Sequence, residues 1–464
     1  MDRAEWKRSM RAWGGALLAC LSAAGCRDGA RAPALPIGPD ADVADVRTLP
    51  QDCTAWLEPA AANRPLLDAA AQARRYAAFR EAWLAPWREP RPDSAAALRA
   101  ARAALRRFAD DPGFGENLRP HRPQWIRRLA DLADLKSFSA AAGTRAVTVR
   151  NTNLRALPTM RPHFHDPALA GEGYPFDNLQ ETALWAGTPA LVHHRSADGA
   201  WVLAETPLGI GWAPAADVPG VDDALVRAWR SSPWAAVVKD RTVLREPAGR
   251  ARFATHIGAV FPLAGRAKGK LELLAAVDAG GGRAGVARCE VDEDAAATMP
   301  LPITPAAVAA VGNRILGQPY GWGGLYGNRD CSATTRDLMV PFGLFLPRNS
   351  GDQARCGRYV DLGGAEGRRL EELVVARARP WITLLWTPGH VMLYVGSRDG
   401  RPAVLHSPWG VPVRRDGRAG RHVIGRCVIT TLSPGAELGD YDAAAARAHR
   451  VRALVRLDEP PAGG

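Results

Sequence analysis

Tyr320-Gly321-Trp322-Gly323-Gly324-Leu325-Tyr326-Gly327-Asn328-Arg329-Asp330-Cys331-Ser332 is the stretch on which the reading of this chain turns. Its first half is too rich in glycine for a helix or a strand. It reads as a loop that either permits a close backbone approach or simply makes a tight connection. Asp330 follows the loop and can cap a helix that begins at Cys331 and runs to about Phe342. A thiol at the first helical position feels the partial positive charge of that helix end. That charge lowers its pKa and raises the thiolate fraction. The thiolate is the attacking species, so this is where a nucleophile belongs. The helix alone also allows a plainer account, since Cys331 shares a stripe with Thr335, Leu338 and Phe342 and can be a core residue.

A nucleophile needs a base, and Pro388-Gly389-His390-Val391-Met392-Leu393-Tyr394-Val395-Gly396 offers one. His390 opens an apolar strand beside a turn, where a ring faces a cleft more readily than a core. His406 ends the next strand, in Leu405-His406-Ser407-Pro408-Trp409-Gly410. Neighbouring antiparallel strands can bring the two rings within hydrogen-bonding reach, the second orienting the first.

Outward from this centre, Thr304 can cap a helix reaching Leu316. Strands are expected at Ile382 to Trp386, His390 to Val395, Ala403 to His406 and Val423 to Thr430. Helices first and an antiparallel sheet after make an α+β domain over residues 303–435. Pro300 to Pro305 is a stiff linker. Upstream, short strands broken by Gly187-Thr188-Pro189 and Asp198-Gly199 turns suggest one small barrel over 141–222, and the same texture suggests a second over 233–295. Residues 56–140 are helical in pattern, with Leu66, Leu67, Ala70, Ala73, Tyr76, Phe79, Trp83 and Leu84 at helical spacing. Pro86 stops that run, a second helix follows from the cap Ser94 to about Phe108, and a third from Pro123 to Leu135. Residues 27–55 read as a tether and 436–464 as a C-terminal tail.

The first 26 residues have the layout of a secretory signal: Arg3, Lys7, Arg8 and Arg11, then the apolar stretch Ala12 to Gly25. The run Leu21-Ser22-Ala23-Ala24-Gly25-Cys26 resembles a bacterial lipoprotein processing site, which implies a lipid on Cys26. Leu17-Leu18-Ala19-Cys20 is a competing site. The chain is thus expected outside the cytoplasm, in the periplasm or cell envelope, anchored to a membrane through that lipid. No later segment offers 18 apolar residues in a row.

A length of 464 residues implies two to four domains, and 47% hydrophobic with 23% charged residues is the composition of a globular protein. The formal charge of +12 comes mostly from scattered arginines without a block. That pattern is a solvated surface, and no nucleic acid is expected as partner. Seven cysteines, two of them in the signal region, leave an odd number and hence at least one free thiol. Cys356 and Cys427 read as core thiols, with a disulfide left open. There is no C-x-x-C or H-E-x-x-H, so neither metal nor cofactor is expected. His163, His165, His193 and His194 read as solvated surface residues.

Residues 312–410 resemble the NlpC-type family of cell-wall cysteine peptidases, which have a papain-like fold. The resemblance rests on Tyr320-Gly321-Trp322-Gly323-Gly324, Arg329-Asp330-Cys331-Ser332, Leu346-Pro347-Arg348-Asn349-Ser350 with Gln353, Gly389-His390-Val391 and His406-Ser407. It implies Cys331 as nucleophile, His390 as base and His406 as the orienting residue. Tyr320 would help hold the oxyanion, and Asp330 and Ser332 would contact substrate. Ser350 is either a further contact or a second helix cap. Residues 146–218 resemble the bacterial SH3-like barrel of such peptidases, and 79–125 the helical segment before it.

The implied activity is hydrolysis of the γ-D-glutamyl–diamino acid amide in peptidoglycan stem peptides by a monomer. In related multidomain peptidases the first barrel closes one end of the cleft, which implies a preference for a free N-terminal L-alanine. Asp330 would meet that ammonium, with Asp177 as a second candidate or else a turn-forming aspartate. A non-catalytic wall-binding lipoprotein and a thiol acyltransferase of the same fold are the competing functions.

Overall fold

The computed structural model describes residues 42–91, 93–141, 143–446 and 450–461. The signal region and Cys26 lie outside the described residues. In the helical segment, the Ser94–Phe108 helix is alanine-rich and buries Ala97, Ala101 and Phe108, spaced one and then two helical turns apart. Its cap is Asp93, which accepts from the Ala95 amide. Ser94, expected as the cap, is the first helical residue, and its hydroxyl donates to Ala141 O at 3.1 Å. The Trp125–Ala133 helix follows. Trp87 fixes this segment to the first barrel, donating its indole N–H to Ala146 O (2.9 Å) and Ala190 O (3.1 Å).

The first barrel is a six-stranded antiparallel sheet. Its order is Thr144–Val147, Pro189–Arg195, Trp201–Thr206, Gly209–Pro214, Thr152–Arg155, Gln180–Leu184. A helix, Asp223–Ser231, capped by Asp222, leads to a second sheet of seven strands between Trp234 and Thr298. The first barrel centres on Leu154 with Leu184 and Val202, and the second centres on Val237 with Phe261 and Leu273 and also takes in Ala183, Trp185 and Ala186 of the first.

Two of the four histidines expected at the surface are buried instead. His163 sits against Asp111 O (2.9 Å), and His193 lies between Ser94 Oγ (3.1 Å) and Glu205 Oε2 (3.2 Å). Both stitch the helical segment to the barrel. His194 and His165 are both half-buried.

In the last domain Thr304 caps the Pro305–Asn313 helix through the Ala307 amide. The main sheet is ordered Arg358–Asp361, Ala453–Arg456, Thr383–Thr387, His390–Arg398, Arg401–His406, Val428–Thr430. With the helices packed on it, the domain is α+β and papain-like. The expected strand from Val423 to Thr430 is divided, because Arg418–Val423 pairs with Gly410–Arg415 in a separate hairpin. The supposed tail supplies an inner strand of the main sheet, in which Ala453, Leu454 and Val455 are fully buried. The tether's end is packed as well. Asp45 accepts from the Thr431 amide and hydroxyl (both 2.7 Å), and the Gln51 side chain brackets Ile429, donating to its carbonyl at 2.8 Å and accepting from its amide at 3.0 Å.

Cys53, Cys289, Cys331, Cys356 and Cys427 are all free thiols. Among the described residues no helix is long and apolar enough to cross a membrane, and no three His, Cys, Asp or Glu side chains are grouped to hold a metal ion.

Candidate active site

Cys331 opens the Cys331–Met339 helix, and Asp330 is its cap, accepting from Ala333 N at 2.9 Å. Asp330 also accepts from Gly323 N at 3.0 Å, and the Arg348 guanidinium forks onto both of its oxygens. Burial opposes ionisation of this carboxyl, but Arg348 and the two amides outweigh it and hold its pKa below the usual range. Arg348 donates besides to Ser332 Oγ (2.8 Å) and Thr182 Oγ1 (2.9 Å).

The glycine loop serves close approach, and what approaches is the first barrel. Gly323 has φ +61°, and a Cβ there would fall 2.4 Å from Gln180 Cγ. Gln180 Nε2 donates to Gly323 O at 3.0 Å, and the Trp322 indole donates to Asp177 O at 3.0 Å.

The Cys331 sulfur lies against the Val391 amide, at the start of the His390 strand, and its thiol is pushed up to about 12. Burial is the main cause and the Asp330 carboxylate the second. The Val391 and Ser332 amides and Arg348 pull the other way without matching them. The sequence expectation of a lowered thiol pKa is therefore corrected. Desolvation and a neighbouring carboxylate exceed the helix-end field.

The histidine pair is the clearest feature. His390 Nε2 lies 2.8 Å from His406 Nδ1, and His406 Nε2 lies 2.9 Å from Thr430 Oγ1. The Thr430 hydroxyl donates to Thr431 O at 2.8 Å, so its oxygen is left to accept. His406 must then carry its proton on Nε2 and present a lone pair at Nδ1, and His390 must donate from Nε2. The lone pair of a neutral His390 is thereby placed on Nδ1. Burial, and then the proximity of His390, push the pKa of His406 well below the ordinary histidine value, so it stays neutral.

These groups line a cleft of about 700 Å³. Tyr320, Asp330, Ser332 and Ser350 line it with Cys331, His390 and His406, as do Phe176, Asn178, Gln180 and Glu181 from the first barrel. Phe176 packs edge-on against Trp322 (5.2 Å between centroids) and Trp409 (6.1 Å). For Ser350 the cap reading falls, and for Asp177 the substrate reading falls while the turn-forming one holds. Ser350 is the first residue of the Ser350–Gln353 helix, whose cap position is Asn349. Asp177 is buried away from the cleft, with its carboxylate on Arg155 Nη1 (2.6 Å) and on the His163 and Leu179 amides (both 3.0 Å). It holds the barrel loop rather than facing a ligand.

Sequence reasoning gave no role to Arg348, Thr430 or Glu181. Arg348 stood within the quoted Leu346-Pro347-Arg348-Asn349-Ser350, and its invariably charged fork was a usable signal. Thr430, a hydroxyl in the apolar run Val428-Ile429-Thr430, carried none.

Comparison with known proteins identifies the domains that carry this site. The NlpC/P60 family matches residues 317–415, and the NlpC/P60 N-terminal stabilising domain matches 14–138. SH3 domains of the SH3b1 and SH3b2 types match 162–214 and 222–268. A γ-D-glutamyl-L-lysine dipeptidyl-peptidase of Bacillus subtilis is 34% identical over 102 residues, which cover 22% of this chain and 31% of that protein. This chain therefore matches about a third of that relative's length. The structure of an NlpC/P60 endopeptidase from Photobacterium damselae subsp. piscicida superposes with a TM-score of 0.80 at 24% identity, covering 89% of this chain and 98% of that one. The chain thus carries, in sequence, an NlpC/P60 N-terminal stabilising segment, two SH3b-type barrels and a last domain that matches the NlpC/P60 family.

Proposed function

We propose that the protein is a cysteine peptidase of peptidoglycan stem peptides, with Cys331 as nucleophile, His390 as base and His406 as the residue that orients it. The observation that carries this reading is the directed chain from Thr430 through His406 to His390. It leaves a basic nitrogen on His390, the residue before the amide that touches the Cys331 sulfur.

Because the resting thiol is neutral, proton transfer to His390 accompanies attack rather than preceding it. Sulfur bonds to the carbonyl carbon while the S–H proton moves to His390 Nδ1, and the new imidazolium is steadied by the lone pair of neutral His406. Tyr320 and the amides at the helix start are the candidate donors to the oxyanion. Collapse expels the amine, protonated by His390, and leaves a thioester. Water, deprotonated by the same ring, then releases the acid.

The bond proposed for cleavage is the γ-D-glutamyl–diamino acid amide. The first barrel lines the cleft with Phe176 and Gln180, which supports a barrel side that admits peptides with a free N-terminal L-alanine rather than intact wall. Asp330, already held by Arg348, is poorly placed to take that ammonium alone. Glu181, next to the Gln180 that meets Gly323, is the barrel carboxylate proposed for it. Ser332 and Ser350 are the remaining candidate contacts. Such an enzyme acts outside the cytoplasm, and a lipid on Cys26 would hold it at a membrane.

Mass spectrometry of defined muropeptides, incubated with wild-type protein and with Cys331→Ala, tests the activity. Cleavage by the first and none by the second is expected, and no cleavage by either sinks it. The N-terminal preference fails if L-Ala-γ-D-Glu-diaminopimelate and its N-acetylated form react at equal rates.

A further inference from the structure

Arg329 stands two residues before Cys331, is 1% exposed, and has no part in the chemistry above. All five of its N–H donors are used. Nε donates to Asp337 Oδ2 (2.7 Å), Nη1 to Asp240 Oδ2 (2.7 Å) and Gln318 Oε1 (2.6 Å), and Nη2 to Asp240 Oδ1 (2.9 Å) and Ile257 O (2.8 Å). A guanidinium has no further donor and no acceptor, so this group is saturated. Asp240 and Ile257 belong to the second barrel, Gln318 precedes the glycine loop, and Asp337 lies on the Cys331 helix.

Asp240 is equally committed, accepting from Ile257 N (2.8 Å) and Gln318 Nε2 (2.8 Å) as well as from the bidentate arginine. The contact between barrel and helix is tight. A Cβ added at Gly258 would fall 2.8 Å from Asp337 Cγ.

The main chain of the same arginine reaches the other half of the site. Arg329 O accepts from Gly321 N (3.0 Å), in the glycine loop, and from Ser407 Oγ (3.1 Å), the residue after His406. One residue therefore joins the second barrel, the loop, the Cys331 segment and the His406 strand end.

The geometry points to Asp240 as a positioning residue: from the second barrel it fixes Arg329, and through Arg329 it sets Cys331 against the His390–His406 pair. This rests on the catalytic reading proposed above, and it makes the second barrel a working part of the active site rather than an appended module. Without the Asp240 carboxylate, Arg329 keeps Asp337 as its one anionic partner and is drawn toward it. The 329–331 main chain follows, and the bonds from Gly321 and Ser407 are strained with it. A misplacement of about 1 Å at a reacting atom can cost about a hundredfold in rate.

The test compares wild type with Asp240→Asn, Asp240→Glu and Gln318→Met, well below their melting temperatures. The readouts are kcat and KM on a muropeptide and the pH profile of Cys331 alkylation by iodoacetamide, read by peptide mass. Asp240→Asn is expected to lower kcat by about a hundredfold with KM within about threefold, and to displace the alkylation profile. Gln318→Met should move both in the same direction by less, and Asp240→Glu should recover part of the loss. Folded variants with lowered melting temperature but wild-type kcat and alkylation profile would overturn the proposal. If Asp240→Asn does not fold, Gln318→Met decides by the same criteria. A wild-type protein without peptidase activity would count against the proposed function, while the alkylation profile, which needs no substrate, still decides the role of Asp240.

Discussion

Arg348 forks onto both carboxylate oxygens of Asp330, and both side chains are buried directly behind Cys331. Breaking a buried pair from one side leaves the other charge without a partner. Asp330→Asn is therefore expected to cost about 3–5 kcal/mol at neutral pH. The folded-state pKa of Asp330 lies below its unfolded value, so its contribution is complete above the unfolded value of about 4 and is lost as pH falls through the folded one. Thermal unfolding of wild type and variant should converge as the pH is lowered below about 4. A constant gap across that range would contradict the assignment.

The raised Cys331 thiol makes a separate claim about reactivity. With its pKa near 12, almost no free thiolate exists at neutral pH, and in the proposed mechanism attack depends on His390. Alkylation of Cys331 in His390→Ala should therefore be slow at pH 7 and still be climbing as the pH approaches about 12, where deprotonation is only half complete. A plateau near pH 8 in that variant would mean that the sulfur is better solvated than its surroundings suggest.

Thr430 fixes the tautomer of His406, and through it the direction of the His390 ring. Thr430→Val keeps the shape of the strand and removes the acceptor. His406 is then free to protonate at Nδ1, which sets two N–H groups against each other across the 2.8 Å gap to His390. A fall in kcat of about tenfold or more with little change in KM is expected, since only the transition state needs the imidazolium. Replacing His406 should cost more than this and less than replacing His390. Equal and negligible effects at all three would remove the histidine pair from the mechanism.

Much of this was legible because local chemistry marks position strongly. Asp330 before Cys331, the glycines before both, and two histidines at strand ends are each tied to a turn or a cap, which short-range sequence encodes well. What was not legible depends on partners far away in the chain. Ala453-Leu454-Val455 is too short to stand out as a strand, and its two pairing partners, Arg358–Asp361 and Thr383–Thr387, lie far away in the chain. Asp177 could be read either as a cleft carboxylate or as a turn former, because nothing nearby announces Arg155 as the partner that settles it as the second. The lowered thiol pKa was expected from the helix end alone. The burial that reverses it comes from elements brought together by the tertiary fold.

The glycine loop offers the sharpest test of how the first barrel and the site depend on each other. Gly323 holds φ +61°, and a methyl group there would meet Gln180 Cγ at 2.4 Å and the Gln180 carbonyl at 3.0 Å. The side chain of Gln180 can shift, but its backbone belongs to the Gln180–Leu184 strand and cannot move without opening the barrel. Gly323→Ala should thus strain the loop itself by about 1–3 kcal/mol and push the barrel strand away from the cleft. The amide of Gly323 would leave Asp330, and Phe176 would be drawn off the aromatic wall with its loop. The expected result is a loss of stability together with a rise in KM for peptides bearing a free N-terminal L-alanine, because the proposed specificity assigns their recognition to the barrel side of the cleft. Discrimination against the N-acetylated peptide should narrow at the same time. A variant that is destabilised but discriminates as well as wild type would show that the barrel supports the fold without shaping the specificity.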